Sequence, residues 1–169
     1  MIAFRVTEKR YKHRAFNGKG AEEHGGRYNN KGTAIVYTAD SVALGILEIL
    51  ANYEEVDLEK YFVYTVQIPD ALIEEFPKRK LPTGWNGDPA PASTKQIGDD
   101  FVKVARTAAL KIPNASSPEE FTVLINPAHP NIGKIKISRP RALKSSEKVK
   151  KMHPKKSTLQ SFVICDNLR

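Results

Sequence analysis

The chain reads as an α+β domain, mainly antiparallel or mixed β-sheet with a few helices. Three observations carry this reading. Short β-branched and aromatic runs recur over most of the length, and one apolar stretch has helical spacing. Strands and helices also lack the regular alternation of a doubly wound sheet. At 169 residues the chain has the length of one domain, so residues 1–169 are read as a single compact unit. A chain of that size buries about two-thirds of its unfolded surface, enough for a core without disulfides or structural metal.

The elements follow in order. Ile2 to Val6 is a short strand. Asn17 to Gly32 holds Gly18, Gly20, Gly25, Gly26 and Gly32 and reads as a loop with unusual backbone geometry. Thr33 to Thr38 is β-branched and aromatic, a strand; Asp40 or Ser41 then caps a helix that runs to about Tyr53. Tyr61 to Ile68 is the clearest strand and is stopped by Pro69. Pro77 to Gln96 is rich in Pro, Gly and Ser and forms a long connection, expected to border a site. Ile97 to Arg106 reads as a helix with Asp99 and Asp100 in its first turn. Strands are expected at Thr107 to Ile112, Phe121 to Ile125 and Ile132 to Ile137, with a closing strand at Ser161 to Cys165. No internal repeat and no linker of domain length interrupts the series.

Composition excludes several function classes. The longest apolar run, Val42 to Leu47, is far shorter than the roughly 18–20 residues that span a bilayer. The first residues lack a basic segment ahead of an apolar one, so no export signal is read and the cytoplasm is the expected compartment. Cys165 is the only cysteine, which rules out a disulfide within the chain and a zinc finger. The net charge of +8 is local: ten basic residues stand against Glu147 alone between Lys134 and Lys156, whereas residues 1–133 hold 16 basic and 17 acidic groups. The Lys-rich part, residues 144–156, fits a solvated connection, a surface for an acidic protein, or a nucleic-acid contact. It lacks the interleaved aromatics of a single-strand groove.

Four positions stand out chemically. The glycine loop is neither a P-loop nor a dinucleotide fingerprint, because no Gly-Lys-Ser/Thr follows and Glu23 stands where the last glycine of that fingerprint belongs. It offers Gly25-Gly26-Arg27 instead: backbone that can approach a ligand closely, then a guanidinium suited to phosphate, or simply a turn with an exposed arginine. From Val42 to Ala51 every residue is apolar or glycine except Glu48. Either Ser41, Gly45, Glu48 and Asn52 form a polar stripe facing solvent, or Glu48 is a site carboxylate with open space above it at Gly45. Tyr28 and Tyr37 flank the same segment as half-buried aromatics with wet hydroxyls or as ligand contacts. The four histidines show no metal-ligand spacing and are given no role.

Taken together, several motifs resemble one family. Phe16-Asn17-Gly18-Lys19-Gly20-Ala21, Gly25-Gly26-Arg27-Tyr28-Asn29, Val36-Tyr37-Thr38-Ala39 and Leu47-Glu48-Ile49-Leu50 come first. Ser93-Thr94, Gly98-Asp99, Lys111-Ile112-Pro113, Leu124-Ile125-Asn126-Pro127-Ala128-His129-Pro130 and Asp166-Asn167-Leu168-Arg169 follow. The pattern is similar to the RES domain, the toxin component of RES–Xre type II toxin–antitoxin systems, and it covers nearly the whole chain in order.

The resemblance implies a compact fold similar to the ADP-ribosyltransferase toxins, and NAD as substrate with no further cofactor and no metal. Arg27 then matches the family arginine and Glu48 the family glutamate; with Tyr37 they form the implied catalytic set. Arg27, Tyr28, Tyr37 and Asn114 become the implied NAD contacts. Asn114 stands where the family pattern has serine, with Ser116 and Ser117 just beyond, so activity is expected to be weakened. The implied reaction breaks the nicotinamide–ribose bond and depletes NAD by hydrolysis or phosphorolysis. Transfer of ADP-ribose to a protein is the alternative, and a non-catalytic nucleic-acid-binding module is the reading from another class. The implied partner is an Xre-like helix-turn-helix antitoxin in a hetero-oligomer. It would present an acidic or C-terminal segment to Arg27, with DNA bound only through the antitoxin and no membrane involved.

Overall fold

A computed structural model of the chain describes residues 1–53, 56–146 and 149. One mostly antiparallel sheet organises them. Its strands are β1 (Ile2–Glu8), β2 (Val36–Ala39), β3 (Tyr61–Gln67), β4 (Ile73–Glu75), β5 (Ala109–Pro113), β6 (Phe121–Ile125), β7 (Lys136–Ile137) and β8 (Arg141–Ala142). Three α-helices accompany it: α1 (Lys19–His24), α2 (Val42–Asn52) and α3 (Ala92–Val104). The strand order is β4-β5-β6-β2-β1-β3-β7, with β8 also pairing β3. Only β4 and β5 run parallel. The α+β reading of the sequence therefore holds.

Alternation along the strands sorts side chains onto two faces. Ala3, Val36, Val66, Ala109, Val123 and Ile125 share one face and one continuous core. The opposite face is divided. Over β5 and β6, Leu110, Ile112 and Leu124 pack with Phe101 of α3 and with Tyr28 and Ile35 from the glycine loop. Over β1 and β3, Phe4, Val6 and Val63 pack with Val42, Ile46 and Ile49 of α2. Between these two clusters the sheet is thinly joined: β1 and β2 share one paired position, Phe4 with Ala39, whereas β1 pairs β3 from Ile2–Gln67 to Glu8–Tyr61. Arg5 fills the parting. Its Nη1 donates to the Tyr37 carbonyl at 2.5 Å and its Nε to the Ala15 carbonyl at 2.7 Å. Burial pulls this guanidinium down to about 10, against opposing contributions from Tyr64 and Tyr53.

Several boundaries differ from expectation for local reasons. β2 starts at Val36 rather than Thr33, because Asn29 Nδ2 takes the Thr33 carbonyl and so draws that residue into the loop. α3 starts at Ala92, well before Ile97. Pro91 precedes it, and its carbonyl accepts from the Thr94 and Lys95 amides. The expected strand at Ile132 begins as a tight turn, closed by Lys134 N–H on the Asn131 carbonyl, and only Lys136–Ile137 pair. The short strands β4 and β8 were not read from sequence. The expected strand Ser161 to Cys165 lies outside the described residues.

The Asn-Pro-x-His-Pro turn has a structural use. His129 Nδ1 accepts from the Asn131 amide, which leaves Nε2 as the donor to the Ala105 carbonyl at 3.1 Å. Ala105 closes α3 with a left-handed φ of 49°. The buried histidine is thus a clasp on the end of α3.

Candidate active site

The parting in the sheet opens as a cleft whose walls include Arg27, Tyr37, Glu48, Asn114, Ser116 and Thr122. Glycines bring its walls close. A Cβ on Gly26 would lie 2.6 Å from the Tyr37 hydroxyl, and one on Gly98 would lie 1.9 Å from the Tyr28 carbonyl. The glycine loop can therefore lie flat on β2 and on α3 only without side chains there.

On this wall Arg27 reaches the 77–91 connection, which borders the site as expected. Its Nη1 donates to the Trp85 carbonyl at 3.2 Å and the Gly87 carbonyl at 2.7 Å. Nε and Nη2 have no partner among the described residues, so two donor groups stay available to a ligand. Tyr37 stands on the floor. Its hydroxyl accepts from the Tyr28 amide at 3.1 Å and donates to Asn29 Oδ1 at 2.6 Å. Asn29 is fully buried and its amide bonds the carbonyls of Ala21, Asn30 and Thr33. It fixes the loop that carries Arg27, a role the sequence reading did not give it although it closes the Gly-Gly-Arg-Tyr-Asn motif. Burial raises the Tyr37 phenol well above its ordinary value, so it stays a neutral donor at physiological pH.

The other wall is α2, started by Ser41 Oγ accepting from the Leu44 amide at 3.0 Å. Glu48 is half-buried and faces the cleft rather than open solvent. Its Oε1 accepts from Asn114 Nδ2 at 3.0 Å and from Ser116 Oγ at 2.8 Å. Asn114 Nδ2 also donates to Thr122 Oγ1 at 2.9 Å, and Asn114 Oδ1 accepts from the amides of Ser116 and Ser117. Ser116 and Thr122 were not among the residues singled out as site groups. Thr122 follows from the register of β6, invisible in a one-dimensional string.

Three sequence expectations need correction. Tyr28 does not stack on a ligand: it is 1% exposed, packed in the core under α3, and its hydroxyl donates to the Pro113 carbonyl at 2.5 Å. Asn114, implied as an NAD contact, has no free amide group to offer a ligand, because it is 2% exposed and both ends of its amide are engaged by protein groups. Gly45 does not leave a void over Glu48; a Cβ there would sit 2.6 Å from Val6 Cγ2, so it lets α2 close on β1. Arg27, Tyr37 and Glu48 do share the cleft. The Tyr28 hydroxyl, just beneath, lies within electrostatic reach of both Arg27 and Glu48, while burial raises its own pKa. Among the described residues no group of His, Cys, Asp and Glu could hold a metal ion. None of their helices is long and apolar enough to cross a membrane.

Fold and site together define a single-sheet α+β protein with an arginine–tyrosine–glutamate cleft where the sheet parts. Comparison with known proteins gives the particular family. The chain matches the RES domain over residues 2–146. It is 35% identical over 130 residues to Toxin Res of Yersinia enterocolitica, covering 76% of this chain and 86% of that protein. It is 38% identical over 130 residues to the Prs ADP-ribosylating toxin of Sphingobium sp. strain YBL2, covering 74% and 80%. Its fold is shared with a chain of the M. tuberculosis MbcT–MbcA toxin–antitoxin complex at 19% identity and a TM-score of 0.66, over 85% of this chain and 84% of that one. The chain belongs to the RES domain family of toxins.

Proposed function

We propose that the cleft binds NAD and breaks its nicotinamide–ribose bond, as the toxin half of a toxin–antitoxin pair acting in the cytoplasm. The observation that carries this reading is Glu48. Its Oε1 is held by two donors, while Oε2 has no partner among the described residues and shares a cleft with the unfilled donors of Arg27. Arg27 suits the pyrophosphate, and the Tyr37 ring suits the flat nicotinamide. Glu48 takes the ribose hydroxyls and sets negative charge beside the cationic ribose carbon that develops as the bond breaks. The C–N electron pair leaves with nicotinamide, which departs neutral and needs no strong general acid. The attacking oxygen, from water, phosphate or a protein side chain, closes on the ribose; water or a hydroxyl then releases its proton to solvent, whereas a phosphate or carboxylate oxygen attacks already deprotonated.

Incubation of the purified protein with NAD, followed by chromatography, tests this. Loss of NAD with appearance of nicotinamide and ADP-ribose or its phosphate ester is expected; no loss at any enzyme concentration overturns it. Transfer to protein is the second reading, supported by the name of the Sphingobium relative. Labelled protein in place of free ADP-ribose selects it.

The partner we propose is an Xre-like antitoxin, with support from the fold shared with a toxin–antitoxin complex. A carboxylate on that antitoxin fits Nε and Nη2 of Arg27, so antitoxin and NAD should compete for the cleft. DNA contact would then come through the antitoxin. Of the basic run, Lys134, Lys136, Arg139, Arg141 and Lys144 are described, and none lines the cleft.

A further inference from the structure

Asn114 occupies the position at which the RES pattern has serine, and on that basis the site would be weakened. The hairpin between β5 and β6 answers this differently. Asn114 Oδ1 accepts from the amides of Ser116 at 2.8 Å and Ser117 at 3.0 Å, which bends the chain back on itself. The turn is closed further by the Asn114 amide on the Glu120 carbonyl and the Glu120 amide on the Ser117 carbonyl, both at 2.9 Å. As a result the Ser116 hydroxyl, two residues along, arrives 2.8 Å from Glu48 Oε1.

The hairpin is also pinned to α2 at the helix start. Ser41 Oγ donates to Glu120 Oε1 at 3.2 Å, and Asp40 Oδ2 accepts from the Phe121 amide at 3.0 Å. Ser116 is therefore held against Glu48 at one end of a clamp whose other end is fixed about two turns away.

We propose that Ser116 is the positioning serine of this site, delivered to Glu48 by the Asn114–Thr122 mount, so that Asn114 preserves the site instead of weakening it. A serine at 114 has one hydroxyl proton, whereas the Asn114 amide has two. It cannot donate to Glu48 and to Thr122 together while also accepting from two backbone amides. The Asn114 and Ser116 donors converge on one carboxylate oxygen, which fixes the plane of the group and presents the second oxygen to the ligand. In kinetic terms this inference rests on the NAD-cleaving reading, and its test has an arm that does not.

The variants are Ser116→Ala, Ser116→Thr, Ser117→Ala as control, and Asn114→Ser. In NAD turnover, Ser116→Ala should lower kcat about 10- to 100-fold, the loss expected for one hydrogen bond to a charged group, with KM within about twofold. Ser116→Thr should recover kcat to within about threefold. Ser117→Ala, which loses no bond of its own side chain to the site, should match the parent. Asn114→Ser should lower turnover. Full kcat in Ser116→Ala, or a gain in Asn114→Ser, overturns the proposal. If the parent protein turns over no NAD, the proposed function fails, and the Glu48 side-chain carboxylate signal in carbon NMR decides the inference. That signal should move in Ser116→Ala and stay in place in Ser117→Ala; an unmoved signal in Ser116→Ala overturns it. Ser116 is exposed, so thermal unfolding of its alanine variant should coincide with the parent's.

Discussion

The two walls of the cleft hold their charged groups in opposite ways. Arg27 is held by backbone: carbonyls of a Pro- and Gly-rich connection take one of its nitrogens, and the loop beneath it depends on glycines and on Asn29. Glu48 is held by two side chains of the β5–β6 turn, Asn114 and Ser116, and Asn114 is braced in turn by Thr122 on β6. A carbonyl cradle accepts any donor and yields when a better partner arrives. A carboxylate fixed through a helix and a hairpin keeps its geometry while charge develops nearby. The contrast suits the tasks proposed for the two groups, anion capture for Arg27 and a fixed charge beside the breaking bond for Glu48.

The sharpest break is Glu48→Gln. Turnover of NAD should fall by about a thousandfold or more, while denaturant unfolding shifts by less than about 1 kcal/mol, because the residue lies on the cleft and not in the core. Turnover near the parent level would remove Glu48 from the chemistry. Gly98→Ala attacks the opposite wall through packing. The added methyl meets the Tyr28 carbonyl at 1.9 Å, so α3 must move and stability should drop by about 3 kcal/mol in urea titration. An unchanged midpoint would mean that α3 does not brace the loop.

Smaller effects sharpen the picture. Arg27→Ala should raise the KM for NAD roughly tenfold or more, with kcat falling much less, as fits a group that binds before and during reaction alike. A fall confined to kcat would instead place Arg27 at the bond being broken. The mildest test is of pH. Burial pushes Asp99 up, but hydrogen bonds from the Asn30 side chain, Thr33 and the Asn30 backbone outweigh it and hold the carboxylate below its ordinary value. A depressed folded-state pKa adds stability that is present above the unfolded value of about 3.9 and is lost as pH falls through the folded one. Asp99→Asn should therefore melt lower than the parent at neutral pH, and the gap should close below about pH 4. A gap that persists in acid would assign the effect to packing.

Much of this contrast was legible in the sequence, unevenly. Ser41 ahead of an apolar run announced α2, and the β-branched run before Pro69 announced β3, since each signal is local. Arg27 and Glu48 stood out as charges in glycine-rich and apolar surroundings. Tyr28 and Tyr37 looked equivalent, and only the fold separates them: one lies beneath α3 and the other opens on the cleft. The parallel pairing of β4 with β5 joins segments far apart in the chain through three residues, too few for any pattern. The Ser116 contact depends on a side-chain-capped turn, so counting along a motif, which puts Asn114 at the serine position, does not reveal that the Ser116 hydroxyl meets Glu48.

The bond from Arg27 to Trp85 has one more consequence. Trp85 is the single tryptophan of the chain, and its own carbonyl accepts from the guanidinium proposed to take a ligand's phosphates. A change in indole fluorescence is the expected signal if an anion draws Arg27 off the Trp85 backbone carbonyl. On the proposed role of Arg27, rapid mixing with NAD and no added label would time its release from the loop carbonyls, and an indole signal that does not change would argue against that release.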